Sequence, residues 1–124
     1  MAANATSVSV SHFSYTSFIR GFHDYKDLWT PEPGEVLEVK AEPSNPYDPM
    51  ATAVKKNGQV VGHVPRSFAR YTHFFLLRQG NQIVCEVTGS PVNRGVGLGL
   101  EVPCFYHFDG HQNFIRKLQE SLKE

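Results

Sequence analysis

Three prolines in one short segment are the strongest constraint on the fold of this chain. They lie in Pro43-Ser-Asn-Pro-Tyr-Asp-Pro-Met-Ala51. Each proline fixes its own φ, and two of them push the preceding Asn45 and Asp48 toward extended backbone. Both of these side chains can also accept hydrogen bonds from nearby backbone in Asx-type turns. We therefore predict a stiff corner that holds Tyr47 and Asp48 in place. It is either a surface for a base and a sugar hydroxyl or a structural corner with a packed tyrosine.

Short strands are predicted on both sides of this corner. In Glu35–Ala41, apolar residues alternate with charged ones, which is typical of a half-buried strand. The segments Ala51–Lys56 and Gln59–Val64 flank Asn57-Gly58, the strongest two-residue signal for a hairpin. Further strands are predicted around Val8, Val10 and Phe13–Phe22, over Gln82–Thr88 and over Leu100–Phe108.

Two helices complete the predicted architecture. Pro65 suits the first position of a helix, and the apolar residues after it recur at helical spacing. Asp109 is a candidate cap for a final helix with an apolar stripe. Short strands joined by tight turns favour an antiparallel sheet, and closure removes its edges. We expect one mostly β (α+β) domain over residues 1–124, frayed over about residues 1–7. It should be an OB-like antiparallel barrel of about six strands, with one inserted helix and a C-terminal helix.

The charges of the chain balance, with 12 Lys plus Arg and 12 Asp plus Glu in 124 residues. Non-specific coating of duplex DNA needs many cations, so the balance argues against it and leaves room for a small site at a strand end. The N-terminal segment does not resemble a secretory signal, and no stretch approaches transmembrane length. Cys85 and Cys104 lie in apolar strand patterns, which indicates reduced core thiols. An intracellular protein without membrane contact is expected.

Other kinds of site find little support in the sequence. The glycine-rich connection Gly89–Gly99 contains Arg94, but a phosphate loop needs a helix after it and a strand is predicted here. His107 and His111 share no predicted helix and lack nearby cysteine ligands, so no metal site is predicted. His63 is interpreted as a hydrogen-bonded strand histidine. No Ser-His-Asp or Cys-His grouping follows from the spacing, so we expect neither an enzyme nor a bound cofactor.

The order of proline corner, hairpin, Val-Gly-His and helix resembles the HIRAN domain. The residues that carry the resemblance are Asn45-Pro46-Tyr47-Asp48, Ala51, Ala53, Val54, Gly58, Val61-Gly62-His63 and Pro65. Weaker similarity extends from about Phe18 to Phe108. HIRAN domains occur at the N-terminus of some DNA-repair helicase-like translocases and as shorter standalone proteins. The resemblance implies a modified OB-like barrel, and the best-understood member binds the 3′-hydroxyl end of single-stranded DNA.

The resemblance also implies roles for individual residues. Tyr47 matches a tyrosine that stacks on the terminal base, and Asp48 matches a carboxylate that accepts the 3′-hydroxyl. Arg66 falls near a basic position that contacts phosphate. Tyr25 falls in the loop that supplies a second aromatic and a further cation.

This chain differs from the DNA-binding pattern in two places. The family's DNA-binding member has an arginine followed by adjacent tyrosines where this chain has His23-Asp24-Tyr25. The titratable His23 therefore stands where that member has its arginine, and the acidic Asp24 stands where it has one of its tyrosines. Arg94 lies in the region of the family's late aromatic and is a further candidate contact.

Two functions follow from this reading. The first is non-catalytic recognition of single-stranded DNA 3′ ends, with a nuclear protein as one expectation. Its candidate DNA-binding residues are Tyr25, Tyr47, Asp48, Arg66, His23 and Arg94. The alternative is a protein-interaction module in which the same groove takes a peptide. Cations around Tyr47 favour DNA, whereas an apolar patch rimmed by acids favours a protein partner.

Overall fold

The computed structural model describes residues 9–95, 97 and 99–123. The strands are β1 (Val10–Ile19), β2 (Val36–Ala41), β3 (Thr52–Lys56), β4 (Gln59–His63), β5 (Gln82–Val87), β6 (Val92–Asn93) and β7 (Leu100–His111). Helix α1 (Arg66–Leu76) lies between β4 and β5, and α2 (Gln112–Ser121) follows β7. A 3-10 turn, Phe22–Asp24, follows β1. The predicted fraying over residues 1–7 and the strand residue Val8 lie outside the described residues.

The strands form an antiparallel sheet in the order β1-β7-β5-β2-β3-β4, and the two-residue β6 pairs with the start of β7. The predicted hairpin is present, with Lys56 paired to Gln59. Asn57 and Gly58 have φ of 51° and 83°. Positive φ at both central residues is what a type I′ turn requires. The described strands number one more than predicted because β6 is too short to show in the sequence pattern.

The two ends of this strand order meet at a single described bridge. The backbones of Arg20 and His63 exchange two hydrogen bonds of 2.8 Å each. A Cβ on Gly62 would overlap Ile19 Cγ2 and lie 3.0 Å from the carbonyl oxygen of Arg20, so only glycine allows this approach. The mostly antiparallel, OB-like sheet with two helices is thus confirmed, although the sheet is not closed along its length.

The core is formed by side chains of the sheet, the two helices and the segment between β1 and β2. Cys85 and Cys104 are fully buried and unbonded, as predicted. Burial, together with the neighbouring Cys104, raises the pKa of the Cys85 thiol well above its usual value. The other large buried residues include Ile19, Leu37, Val39, Val54, Val61, Phe68, Phe75, Ile83, Val102, Tyr106, Phe108, Ile115 and Leu118.

Both helices begin close to where the sequence predicts. Pro65 immediately precedes α1. The predicted cap of α2 is wrong, because β7 continues through Asp109, which pairs with His12 and Gln82. His111 caps α2 instead, its Nδ1 accepting a hydrogen bond from the backbone N–H of Asn113 at 3.0 Å. Within the described residues, neither helix has the length and apolar character needed to cross a membrane.

Candidate functional site

The corner after β2 is held by its own side chains. Asn45 Oδ1 accepts hydrogen bonds from the backbone N–H groups of Tyr47 and Asp48, at 2.8 and 3.0 Å. Asp48 Oδ1 accepts another from the backbone N–H of Met50, at 2.9 Å. These are the predicted Asx-type turns, and the prolines between them limit the backbone further. The corner is therefore a fixed support for the two side chains that it carries.

Tyr47 points away from the core. Its exposed fraction is 86 %, so the packed-tyrosine alternative is wrong for this corner. A tyrosine this exposed buries little apolar area within its own fold and contributes correspondingly little to stability. Its ring is available to another molecule.

Tyr47, Asp48 and Arg66 line one shallow groove of about 140 Å³. Asp48 Oδ2 lies 3.8 Å from Arg66 Nε, and the Arg66 side chain is 73 % exposed. Because Asp48 Oδ1 is bound to backbone, its other oxygen is the one that faces the cation. The remaining residues that line the groove are Asn45, Ala51, Thr52, His63, Val64 and Ala69.

His63 ties the groove to the sheet. Its Nε2 lies 2.8 Å from Glu42 Oε1, and Asn45 Nδ2 donates to the same oxygen at 3.0 Å. Partial burial acts in the opposite direction, but these hydrogen bonds hold the pKa of Glu42 below its usual value. His63 is thus the hydrogen-bonded strand histidine that the sequence predicts. Glu42 was not predicted, since a single glutamate before a proline carries no recognisable signal.

The groove also lies at the start of α1. Arg66 is the first residue of that helix, and Pro65 provides no side-chain cap. The first N–H groups of a helix lack intrahelical partners and carry partial positive charge. Together with the Arg66 guanidinium, they favour an anion at this end of the groove.

Tyr25 and His23 lie on the neighbouring loop rather than in the groove lining. Tyr25 is partly buried, and burial, the charge of Asp24 and then that of Glu42 raise its pKa. The 3-10 turn that precedes Tyr25 contacts β4, the strand that ends at His63 of the groove lining. His23 is exposed and lies against Gly99, with Nε2 3.4 Å from Asp24 Oδ1.

A buried tryptophan anchors this loop. Trp29 is buried, and its Nε1 donates to both carboxylate oxygens of Glu35 at 3.1 Å. Its ring meets that of Phe22 edge-on, with centroids 5.8 Å apart. Tyr25 is therefore carried on a supported loop.

Arg94 is occupied elsewhere. Its Nε and one terminal nitrogen donate to the two carboxylate oxygens of Glu101, at 2.7 and 3.2 Å. The guanidinium carbon also stands 4.0 Å from the ring centroid of Phe18. Glu101 is fully buried and lies 3.5 Å from Arg20 Nε as well. The structure thus brings Tyr47, Asp48 and Arg66 together but does not bring Arg94 into their groove.

Residues 8–100 match the family model of the HIRAN domain. The chain belongs to the HIRAN domain family. No curated protein sequence matches it at a significant level.

Solved structures show the same fold. The crystal structure of the HIRAN domain of human HLTF has a TM-score of 0.69 at 23 % identity, covering 89 % of this chain and 86 % of that chain. An NMR structure of the HLTF HIRAN domain in its DNA-bound conformation has a TM-score of 0.66 at 21 % identity, covering 98 % and 95 %. A protein from Lactobacillus plantarum has a TM-score of 0.52 at 18 % identity, covering 80 % and 98 %.

Proposed function

We propose that this domain is a non-catalytic module that binds the 3′-hydroxyl end of single-stranded DNA. The observation that carries the proposal is the exposed ring of Tyr47, which a rigid corner holds beside Asp48. Within the described part of the chain, the Oδ2 atom of Asp48 accepts no backbone hydrogen bond and faces Arg66. A ring, a hydrogen-bond acceptor and a guanidinium in one groove match a terminal nucleoside with its phosphate.

Tyr47 is suited to hold the terminal base. Stacking needs only a π-face, so it accepts any base and contributes roughly 1–3 kcal/mol per base. The corner fixes the backbone on both sides of Tyr47, so little backbone entropy is lost when a base stacks on it.

Asp48 is suited to recognise the free hydroxyl. Its Oδ1 accepts the Met50 N–H, which orients Oδ2 toward the groove. A carboxylate oxygen accepts a hydrogen bond from a sugar hydroxyl but repels a phosphate in the same place. The site should therefore distinguish a 3′-hydroxyl from a 3′-phosphate.

Arg66 and the start of α1 are suited to the phosphate that precedes the terminal sugar. The cation lies next to the acceptor oxygen, at 3.8 Å, and most of its side chain is in solvent. A cation beside Tyr47 is the feature that favours DNA over a peptide in this groove. Tyr25 and His23 would extend the surface along the neighbouring loop, where Asp24 opposes a second phosphate.

The family relationship supports the same assignment. The HLTF HIRAN domain, which shares this fold, has been solved in a DNA-bound conformation. The balanced charge of this chain fits a site that grips one strand end and few phosphates.

The test is a titration of labelled short single strands that differ only in ending with a 3′-hydroxyl or a 3′-phosphate. We expect the wild-type protein to prefer the 3′-hydroxyl strand by about tenfold, the value of one charge-assisted hydrogen bond. Asp48→Ala should bind both strands equally. A wild-type protein that binds neither strand at low salt would contradict the proposal and favour a peptide partner in the groove.

A further inference from the structure

A second surface lies between the two helices, apart from the groove of Tyr47. It is a cleft of about 520 Å³. None of the residues that line it also lines the Tyr47 groove. Its lining residues are Tyr71, Phe74, Phe75, Leu77, Arg78, Phe114, Lys117, Leu118 and Ser121.

Most of the residues that line the cleft are apolar. Phe75 and Leu118 are buried and form its floor. Phe74 and Leu77, one helical turn apart, stand at the lip with 51 % and 59 % of their surface exposed. Two large apolar side chains beside an apolar cleft form a contiguous patch, and such patches mark interaction sites more often than single exposed residues do.

The rim of the cleft is positive. Arg78 stands over the ring of Phe114, 5.1 Å from its centroid, and Lys117 lies on the facing helix. Among the described residues, no carboxylate lies within 4.0 Å of either cation. The sequence contains no Asp or Glu from Pro65 to Cys85. Because α1 carries no Asp or Glu, acidic side chains on a molecule that fills the cleft would complement this rim.

The two helices that form the walls of the cleft favour a helical conformation for a bound peptide. Both are helices, so most of their N–H and C=O groups are already bonded within each helix. An extended peptide would find no backbone partners here, whereas a helix satisfies its own. We propose that the cleft between α1 and α2 binds an amphipathic helix of a partner protein, with an apolar stripe flanked by Asp and Glu.

This inference is independent of the proposed DNA site. It gives the domain one surface for a partner protein and another for a nucleic-acid end. Both ligands should bind at the same time.

The test uses the full chain and a designed helical peptide with Leu at i, i+3, i+4 and i+7 and Glu at most other positions. Backbone amide NMR should show shifts confined to α1, the following Leu77 and Arg78, and α2 as this peptide is added. A peptide with Lys in place of every Glu should leave the spectrum unchanged. Leu77→Glu should weaken binding by at least about tenfold, because it replaces an apolar side chain at the lip with a charge that repels the Glu peptide. The matched control Leu28→Glu changes a residue that is 60 % exposed outside the cleft, and should bind normally.

A charge reversal sharpens the result. In Arg78→Glu/Lys117→Glu the preference should invert, so that the Lys peptide binds and the Glu peptide does not. The inference is overturned if the Glu peptide causes no shifts in the cleft at about 1 mM, the weak limit of specific binding. It is also overturned if the wild-type protein dimerises through Leu77 in sedimentation, since a second copy then covers the cleft. Displacement of the peptide by a single-stranded oligonucleotide would overturn it too, because the cleft would then belong to the DNA site.

Discussion

Arg20 and His63 exchange two backbone hydrogen bonds at the point where the two ends of the sheet meet. The His63 side chain then binds Glu42, and Glu42 binds Asn45. Asn45 in turn holds the backbone of Tyr47. A continuous set of hydrogen bonds thus runs from the join of the sheet to the exposed ring of the candidate site.

Gly62 allows the two ends of the sheet to approach closely enough for these backbone hydrogen bonds. In Gly62→Ala the new Cβ would overlap Ile19 and press on the Arg20 carbonyl. Overpacking of this kind costs about 1–3 kcal/mol of unfolding free energy. The measurement is denaturant unfolding, with Gly89→Ala as control. A Cβ there meets only Pro103, at 3.5 Å, an ordinary contact. Equal stability of the two variants would show that the join tolerates a side chain.

Asn45 should act on binding through Tyr47 and Asp48 rather than by touching DNA. Asn45→Ala removes the acceptor of two backbone N–H groups and the donor to Glu42. We expect about tenfold weaker binding of the 3′-hydroxyl strand, because the ring and carboxylate are no longer held in place. Asn93→Ala is the control, since Asn93 Oδ1 accepts one N–H, from Gly95, at the end of β6 and outside the groove lining. Unchanged binding by Asn45→Ala would separate the corner from the site.

The sequence predicts the local parts of this arrangement and misses the parts that depend on tertiary contacts. Asn57-Gly58 and the alternation around Cys85 each carry a signal within a few residues, and both are found as predicted. Pro65 marks the start of α1 but lies one residue before its first position. Glu42 and Glu101 carry no such local signal. Their partners lie at positions that only the folded sheet brings together.

Arg94 is a residue whose partner in the fold the local sequence pattern does not reveal. Its place in a glycine-rich loop made it a candidate ligand contact, yet it binds a carboxylate that is buried in the fold. A buried strand position is usually apolar, and Glu101 is an exception. The ion pair between Arg94 and Glu101 could therefore not be predicted from the sequence pattern.

Glu42 should make stability depend on pH in the acid range. Its pKa is lower in the folded protein than its usual value of 4.5. The stabilisation is therefore present above about pH 4.5 and is lost as the pH falls through the lower, folded-state pKa. Denaturant midpoints should drop in that range for the wild-type protein and drop less for Glu42→Gln. Glu38→Gln, an exposed glutamate on β2, should behave as the wild-type protein does. A Glu42→Gln profile that follows the wild type would exclude this role.

Tyr47 should account for much of the affinity for single strands. Tyr47→Ala removes the stacking surface, worth roughly 1–3 kcal/mol, and should weaken binding by about one to two orders of magnitude. Stability should hardly change, since the ring is 86 % exposed. Phe74→Ala is the matched control, an exposed aromatic in the helical cleft that should leave DNA binding intact. Equal losses in both variants would mean that the strand does not use the corner specifically.

Asp24 should limit the number of phosphates that the domain can hold. It is exposed, and its charge lies beside Tyr25 on the loop next to the groove. With Arg94 bound to Glu101, Arg66 is the cation that lines the groove, so one or two phosphate contacts are expected. Each contributes about 0.7 to the log–log salt slope for single strands, which gives a slope of about −0.7 to −1.4.

Asp24→Arg replaces the repulsive charge with a cation and should tighten binding about fivefold at low salt, from about 1 kcal/mol of Coulomb energy in water. The salt slope should steepen by about 0.7 as one further phosphate is neutralised. Glu120→Arg makes the same change in net charge on α2 and is the control for a general increase in positive charge. The measurement is the titration of 3′-hydroxyl strands at several salt concentrations. If Glu120→Arg tightens binding as much as Asp24→Arg, the effect comes from net charge and the loop does not contact the strand.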